Sequence, residues 1–396
     1  MALDLTGVDT DLAWYAEVDP DAARIMAHHH PAVTSHGDIT GGSAEHIAAE
    51  RARYTEHGVG RLAKLPDDTA RLAWADAYMR RSATGWARTL PPVDVLTAGW
   101  PCQENSAAGK RRGAAGDRHL WPAVAAIVGE TLPPVFIGEN VPGILTIDRG
   151  ARIREVCVDL NRLGYTVRWT TLGACRVGAC HHRHRVFILA TRVPVDPPEG
   201  SMFGVPLSMV RKWPAAGHVQ DGQLWPMVAD VCGVTAGTVF PTPTASDGNS
   251  RGSGLGTYPN PEGRPLREVV AMLPDSQSAG GLAPLAAVRP ERWGQWAESV
   301  ARHEAVTGVR APDPTVPGVR GGRRLSAQLV EWMMMLPAGW VTDLMLPNVD
   351  PRPDRLSREM AIKALGNGVV PAQASAALRI LGLDAAVRAI SPALVH

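Results

Sequence analysis

The sequence lacks any run of about 18 apolar residues, so it has no segment that could cross a bilayer as a single helix. Net charge is also almost absent: 40 Lys and Arg against 39 Asp and Glu leave +1. No global basic field therefore indicates a nucleic-acid partner, and any such binding must come from local patches. The five cysteines are odd in number and their spacing indicates no disulfide framework. With no signal peptide at the start, this favours a reducing cytoplasm.

What the sequence does contain is enough apolar material, 45% of 396 residues, for a sizeable core. The length predicts two domains, or one large domain with an insertion. Up to about residue 193, buried-strand patterns alternate with helical patterns, which is typical of an α/β fold with a doubly wound, mostly parallel sheet. We predict strands at 12–16, 93–98, 135–138, 166–171 and 185–190. We predict helices at 21–28, 119–131 and 151–163.

Beyond residue 193 the character of the chain changes, because proline and glycine become frequent and periodicity is weak. This stretch predicts a second, smaller, loop-rich domain with short helices at 266–272 and 291–304. Order returns at "RLSAQLVEWMMMLPAGW" and in a closing helical region from Gln373.

Three reactive or polar residues follow predicted strands, where ligands bind in open α/β sheets. Glu17 follows "LAWYA", Cys102 follows "VDVLTAGWP" and Glu139 follows "VFIG". An acid after the second strand of such folds commonly holds ribose hydroxyls, which suits Glu17, and Asp38 could bind an adenine amine. Each residue alone also has an ordinary structural interpretation: a buried small thiol for Cys102, a cap or surface acid for Glu139.

The stretch "CRVGACHHRHRVFILA" allows two interpretations. Five candidate zinc ligands are present, namely Cys175, Cys180, His181, His182 and His184. Their spacing is too crowded for four separate tetrahedral ligands, which argues against zinc. Residues two apart share a face of a strand, so His181, Arg183 and Arg185 would project together toward an anion or a polarised carbonyl. The alternative is a solvated basic edge strand.

Five motifs in order resemble those of the DNA cytosine-5 methyltransferases of bacteria and phages. "WPCQENSAAGKRRG" resembles the nucleophile motif, "GENVPG" the Glu-Asn-Val motif and "HHRHRVF" the Gln-x-Arg-x-Arg motif, with histidine in place of glutamine. "RLSAQLVEWMMMLPAGW" is similar to the segment before the last motif, and "GNGVVPAQ" to the last motif itself. The resemblance covers nearly the whole chain.

This resemblance implies a mechanism in which the Cys102 thiolate adds to carbon 6 of a cytosine and so activates carbon 5 for methylation. It gives Glu139 a contact with ring nitrogen 3 and the exocyclic amine. Arg183 and Arg185 would polarise or position the base. The cytosine must leave the duplex stack to be reached. The loop at 104–113 would then close over it.

The resemblance also implies S-adenosyl-L-methionine as the cofactor and double-stranded DNA as the substrate. The matching cofactor positions are Glu17, Val18, Asp38, Ile39, Pro101, Leu120, Asn367, Gly368 and Val369. The matching DNA contacts are Gln103, Ser106, Lys110 and Arg111. No metal is implied.

Three domain segments follow from the same resemblance: catalytic at 1–195, target recognition at 196–322, and a returning segment at 323–396. The recognition segment would read the major groove, and six arginines in it or directly after it would cluster on one face against the phosphates. These are Arg251, Arg264, Arg267, Arg320, Arg323 and Arg324. The expected setting is a monomer in the cytoplasm of a bacterium or phage-infected host, with a possible cognate restriction endonuclease.

One departure from the family pattern concerns the start of the chain. The family has a first strand and a glycine-rich loop about seventeen residues before the acid matched to Glu17, whereas sixteen residues precede Glu17 here. We expect that extending the reading frame upstream reveals this motif. Two other functions stay open: a DNA-binding protein with impaired catalysis, and a nucleotide-binding enzyme with a zinc clip.

Overall fold

The computed structural model describes residues 1–39, 85–101, 120–192, 205–206, 210, 212–220, 223–226, 239–248, 265–273, 284–318, 322–345 and 355–390. The chain divides into two compact units. We call Thr6–Thr171, Arg185–Asp230 and Ala377–His396 the sheet unit, and Met1–Leu5, Leu172–His184 and Val231–Ala376 the helical unit. The predicted boundaries at 195/196 and 322/323 stay a prediction.

The sheet unit contains a seven-stranded sheet. Its strands are β3 (Val95–Gly99), β4 (Val135–Asn140), β5 (Thr166–Leu172), β6 (Arg185–Thr191), β7 (Val205–Pro206), β8 (Ala216–Gln220) and β9 (Gln223–Pro226). Across the sheet they follow the order β3-β4-β6-β5-β8-β9-β7. β3 and β4 run parallel, and β6 runs antiparallel to β4. A separate parallel pair joins β1 (Trp14–Tyr15) and β2 (Thr34–Ser35).

Helices connect these strands and begin at recognisable signals. α1 (Pro20–His29) has Pro20 in its first turn, and the Asp19 carboxylate caps it by accepting from the amides of Asp21 and Ala22. This is a favourable N-cap because it satisfies amides that lack a partner within the helix. α2 (Trp121–Thr131) and α3 (Ala151–Arg162) follow β3 and precede β5. α3 starts after Gly150, which has a positive φ of 82°. A Cβ added at this position would also overlap the ring of Trp213.

The core of the sheet unit lies between the sheet and these helices. Trp121 is fully buried and packs against Trp100, with the ring centroids 5.0 Å apart and the planes tilted by 45°. Its indole nitrogen donates to the Asp159 carboxylate at 3.1 Å. Phe136 and Trp169 from the sheet are equally buried. The last described helix, α10 (Leu383–Ile390), belongs to this unit, and Arg168 on β5 donates to the carbonyl of Leu381 at 3.4 Å.

The helical unit contains α4 (Leu266–Ala271), α5 (Pro290–Trp293), α6 (Ala297–Thr307), α7 (Ala327–Met333) and α8 (Arg358–Asn367). α9 (Pro371–Leu381) continues from this unit into the sheet unit. An antiparallel pair joins β10 (Thr315–Pro317) and β11 (Arg323–Leu325). Buried carboxylates organise its loops: Glu304 pairs with Arg289 and accepts from the amides of Ala286 and Ala311.

The predicted α/β fold is confirmed, and the strands and helices up to residue 191 lie where the sequence places them. Strands β7 to β9 extend the sheet from a stretch that the sequence analysis treats as loop-rich. The predicted helix at 291–304 is divided into α5, a short 3₁₀ turn and α6. Among the helices of the described ranges, none is long and apolar enough to cross a membrane.

Candidate functional site

The clearest cluster of predicted site residues lies at the end of β4. Glu139 is the next-to-last residue of β4, opposite Gly99 of β3 on one side and Phe187 of β6 on the other. Its Oε1 atom lies 3.0 Å from Nε of Arg185, the first residue of β6. The two side chains are 21% and 16% exposed. An ion pair that is largely withdrawn from water, yet reachable, suits a site that receives a polar ligand.

The surroundings of Arg185 act on its pKa in two directions. Burial lowers the pKa of the guanidinium, while the charge of Glu139 and their hydrogen bond raise it, and the net direction is downward. The group stays protonated, because arginine titrates far above neutral pH. A permanent positive charge therefore faces the Glu139 carboxyl group.

Asn140, which the sequence analysis did not single out, joins the end of β4 to the residue that follows β3. Asn140 is buried, and its Nδ2 donates to the main-chain carbonyl of Trp100 at 3.0 Å. Its Oδ1 accepts from the amide of Val141 at 2.9 Å. Trp100 follows directly on β3 and is succeeded by the exposed Pro101. Cys102 and the predicted DNA contacts Gln103, Ser106, Lys110 and Arg111 lie outside the described residues.

Arg183 is placed differently from Arg185. The prediction that His181, Arg183 and Arg185 share one strand face is wrong, because the strand begins only at Arg185 and Arg183 has a positive φ of 36°. The buried guanidinium of Arg183 donates to the carbonyls of Pro243 and Gly366 at 3.0 Å each, and to that of Gly368. The two arginines therefore bind different partners.

Gln373, in α9, closes a second link to the same segment. Its Nε2 donates to the carbonyls of Leu172 at 2.8 Å and Arg183 at 2.7 Å. The side chain is fully buried. No local pattern marks this role, because the partners lie about 200 residues away in sequence.

The histidines of this stretch are structural in the described geometry. His181 is fully buried and its Nε2 is 2.9 Å from the carbonyl of Met333, while His182 and His184 stack. Cys175 is disulfide-bonded, which the cysteine spacing did not predict. Within the described ranges, no three His, Cys, Asp or Glu side chains are grouped as metal ligands would be.

Two predicted cofactor residues of the sheet unit follow the parallel strands β1 and β2. Glu17 lies two residues past β1, and its carboxylate accepts from the amide of Asp19 at 2.7 Å. Asp38 lies three residues past β2. Since parallel strands end at the same edge of a sheet, both acids lie at one edge. Val18, beside Glu17, is 68% exposed.

The remaining predicted cofactor residues occupy other elements. Ile39 and Leu120 pack against the core of the sheet unit, Leu120 directly before α2. In the helical unit, Asn367 ends α8 and is exposed, while Gly368 and Val369 follow it half-buried. The turn is held by the amide of Gly368, which donates to the carbonyl of Ala364 at 3.0 Å.

Three of the six arginines predicted to contact phosphates are described, and each binds an oxygen of the protein. Arg267 donates to the carbonyl of Ser246, Arg323 to that of Leu273 and Arg324 to the Glu359 carboxylate. Arg251, Arg264 and Arg320 lie outside the described residues. The described geometry thus gives these three side chains internal partners.

Comparison with known proteins adds a family likeness. Residues 79–210 match the profile of the C-5 cytosine-specific DNA methylase family. The Type II methyltransferase M.AgeI of Thalassovita gelatinovora is 38% identical over 111 residues, 28% of this chain and 26% of that protein. M.BsuFI of Bacillus subtilis is 39% identical over 101 residues, 25% of each chain. The matches therefore span about a quarter of these relatives.

A solved structure of a DNMT2 mutant from Spodoptera frugiperda aligns over 96% of this chain and 95% of its own. The sequence identity is 16% and the TM-score 0.44.

Proposed function

Because this chain belongs to the C-5 cytosine-specific DNA methylase family, with residues 79–210 as the matching segment, we propose that it methylates carbon 5 of cytosine in a specific sequence of double-stranded DNA. The observation that carries this proposal is the ion pair of Glu139 with Arg185 at the end of β4, beside the strand end that leads to Cys102. A nucleophile, a carboxyl group and a fixed cation at neighbouring strand ends are the parts that thiol addition to a pyrimidine needs.

We assign the chemistry of this reaction to Cys102, Glu139 and Arg185. The sulfur of Cys102 forms a bond to carbon 6 of the flipped cytosine, and the ring becomes an enamine that is nucleophilic at carbon 5. Glu139 holds a proton at ring nitrogen 3 and accepts from the exocyclic amine. Arg185 orients the Glu139 carboxyl group. After methylation, the carbon 5 proton passes to solvent water, the proton at ring nitrogen 3 returns to Glu139, and expulsion of the thiolate restores the aromatic ring.

The cofactor of this reaction, S-adenosyl-L-methionine, supplies an electrophilic methyl group. The described residues of the sheet unit fit it: Glu17 and Asp38 offer carboxylates at one sheet edge, where ribose hydroxyls and an adenine amine are commonly bound. The exposed Val18 offers an apolar surface to an adenine ring. Ile39, Pro101 and Leu120, and separately Asn367, Gly368 and Val369, complete the proposed set.

The proposed DNA contacts are Gln103, Ser106, Lys110 and Arg111, together with the recognition segment 196–322. The "Type II" names of the relatives support a cognate restriction endonuclease as a partner. We also propose that the protein acts as a monomer on DNA. Sizing of the protein with and without a cognate duplex tests this stoichiometry.

Transfer of a labelled methyl group from S-adenosyl-L-methionine into duplex DNA tests the function directly. The full chain is expected to label DNA at cytosine carbon 5, and Cys102→Ser is expected to abolish labelling. Cys157→Ala is the matched control, because Cys157 is a free thiol buried in the core of the sheet unit. Labelling that survives in Cys102→Ser contradicts the assigned nucleophile. DNA binding without labelling by the unmodified chain favours a DNA-binding protein instead.

A further inference from the structure

We propose that Gln373 is a positioning residue for this reaction, which holds the segment 172–184 at both ends and thereby sets the start of β6, where Arg185 meets Glu139. The inference rests on the proposed function and deepens it. It assigns a role to a side chain whose described hydrogen bonds go to the main-chain carbonyls of Leu172 and Arg183.

The side chain of Gln373 makes two hydrogen bonds, one at each end of the segment 172–184. One amide nitrogen donates to Leu172, the last residue of β5, and to Arg183, two residues before β6. Both partners are carbonyl oxygens, so the NH₂ group of the carboxamide must face them and its orientation is unambiguous. One side chain therefore bonds to both ends of the segment that connects β5 with β6.

A second set of bonds runs in the opposite direction between the same two segments. The guanidinium of Arg183 donates to Gly366 and Gly368, whose turn precedes Gln373 in sequence. Arg183 has a left-handed backbone, which a residue with a side chain rarely adopts and which persists only when its surroundings enforce it. We call the hydrogen bonds of the Arg183 and Gln373 side chains the brace, because together they hold this strained residue in place.

The brace bears on catalysis through the chain itself. Arg185 is two peptide bonds beyond the braced carbonyl of Arg183, and its Nε is 3.0 Å from Glu139. A small displacement of reacting groups, caused by a distant substitution, is enough to lower a rate by about a hundredfold. Loss of the brace is therefore expected to reduce turnover through the placement of Arg185.

The first test compares Gln373→Met with Ser375→Ala, a control two residues further along α9. Methionine keeps the size of glutamine and removes both hydrogen bonds. At a temperature far below the unfolding midpoints of both variants, we expect kcat for DNA methylation to fall about tenfold to a hundredfold, with KM for DNA close to that of Ser375→Ala. Hydrogen exchange is expected to quicken at the amides of 181–185 in Gln373→Met alone.

A second variant, assayed far below its unfolding midpoint at every pH, separates a positioning effect from a loss of folded protein. In Gln373→Glu the ionised carboxylate would face two carbonyl oxygens, which repel it, whereas the protonated acid donates one hydrogen bond. The activity of Gln373→Glu relative to the unmodified chain should therefore rise as pH falls. The same ratio for Gln373→Met should stay flat.

The outcomes separate the two proposals. If the unmodified chain methylates DNA and Gln373→Met has the same kcat, the positioning role is overturned and the proposed function stands. If Gln373→Met unfolds well below the control and the Gln373→Glu ratio ignores pH, the residue is structural and the inference is likewise overturned. If the unmodified chain transfers no methyl group, the proposed function itself fails.

Discussion

The side-chain amide of Asn140 donates to the main-chain carbonyl of Trp100 at 3.0 Å, joining the end of β4 to the end of β3. The bond fixes the peptide that leads through Pro101 to the proposed nucleophile. Asn140→Ala would leave this carbonyl and the amide of Val141 without their buried partner. We expect it to lower the free energy of unfolding by about 1–3 kcal/mol and kcat by at least about tenfold.

The control for Asn140 is Asn161→Ala, which removes a similar amide-to-carbonyl bond, to Tyr165, at the end of α3. Chemical denaturation and labelled methyl transfer, run on both variants, separate stability from rate. Equal rates in the two variants would show that the Trp100 carbonyl does not need this anchor for catalysis.

The Glu139–Arg185 pair predicts strongly coupled substitutions. Glu139→Gln removes the acid that holds the proton at ring nitrogen 3, and we expect a loss of about 10²–10⁴ in kcat. Arg185→Lys keeps a charge but not the planar guanidinium, so we expect a smaller loss. Because both act through one carboxyl group, the double variant should fall little further than Glu139→Gln alone. If the losses in the single-turnover rate multiplied in the double variant, they would be independent and the coupling would be contradicted. Arg192→Lys, just past the other end of β6, is the control.

The turn at 366–368 predicts different losses of stability when alanine replaces each of its two glycines. A Cβ on Gly366 would overlap the backbone of Thr244 and Ala245, whereas the nearest atom to a Cβ on Gly368 is a carbonyl oxygen at 3.4 Å. Gly366→Ala should therefore destabilise the fold by about 1–3 kcal/mol or more. Gly368→Ala should change it by less than about 1 kcal/mol. Thermal and denaturant unfolding decide the comparison, and equal midpoints would contradict it.

His303 predicts how stability depends on pH. Burial lowers its pKa from 6.5 to about 4, with the charge of Arg302 acting in the same direction, and its Nδ1 accepts from the amide of Cys180 at 3.1 Å. As pH falls through 6.5 the unfolded chain takes up a proton that the folded chain refuses, so folding weakens from there down to about 4. The loss amounts to at most about 3 kcal/mol.

The pH test uses His303→Gln, which has no titrating ring, and His28→Gln, at an exposed histidine on α1. Between pH 7 and 4 the free energy of unfolding should decline less steeply in His303→Gln than in the unmodified protein. It should decline as steeply in His28→Gln. Parallel slopes for all three proteins would show that His303 titrates normally in the fold.

Local signals in the sequence located most of the sheet unit. The continuous apolar run in β4 and the proline and aspartate at the start of α1 each depend on nearby residues, and the structure places these elements as predicted. The strand end that carries Glu139 followed from the same signals. That Arg185 lies beside it could not be deduced, because the antiparallel pairing of β4 with β6 depends on the whole sheet.

Long-range contacts account for the rest. The spacing of His181, Arg183 and Arg185 fits a strand, but the carbonyls of Pro243, Gly366 and Gly368 stabilise a left-handed residue at Arg183 instead. Strand propensity is weak against several buried hydrogen bonds. Likewise nothing near Gln373 in sequence indicates its partners at Leu172 and Arg183.

The sheet unit is assembled from three separate stretches of chain, the last of which starts at Ala377. A ribosome therefore releases β5 long before it has made Leu381, whose carbonyl Arg168 binds. During synthesis the sheet unit therefore stays incomplete while most of the helical unit is made. Translation that stalls in between would leave a nascent chain in which Arg168 lacks the Leu381 carbonyl, and would expose this unfinished unit to chaperones and proteases.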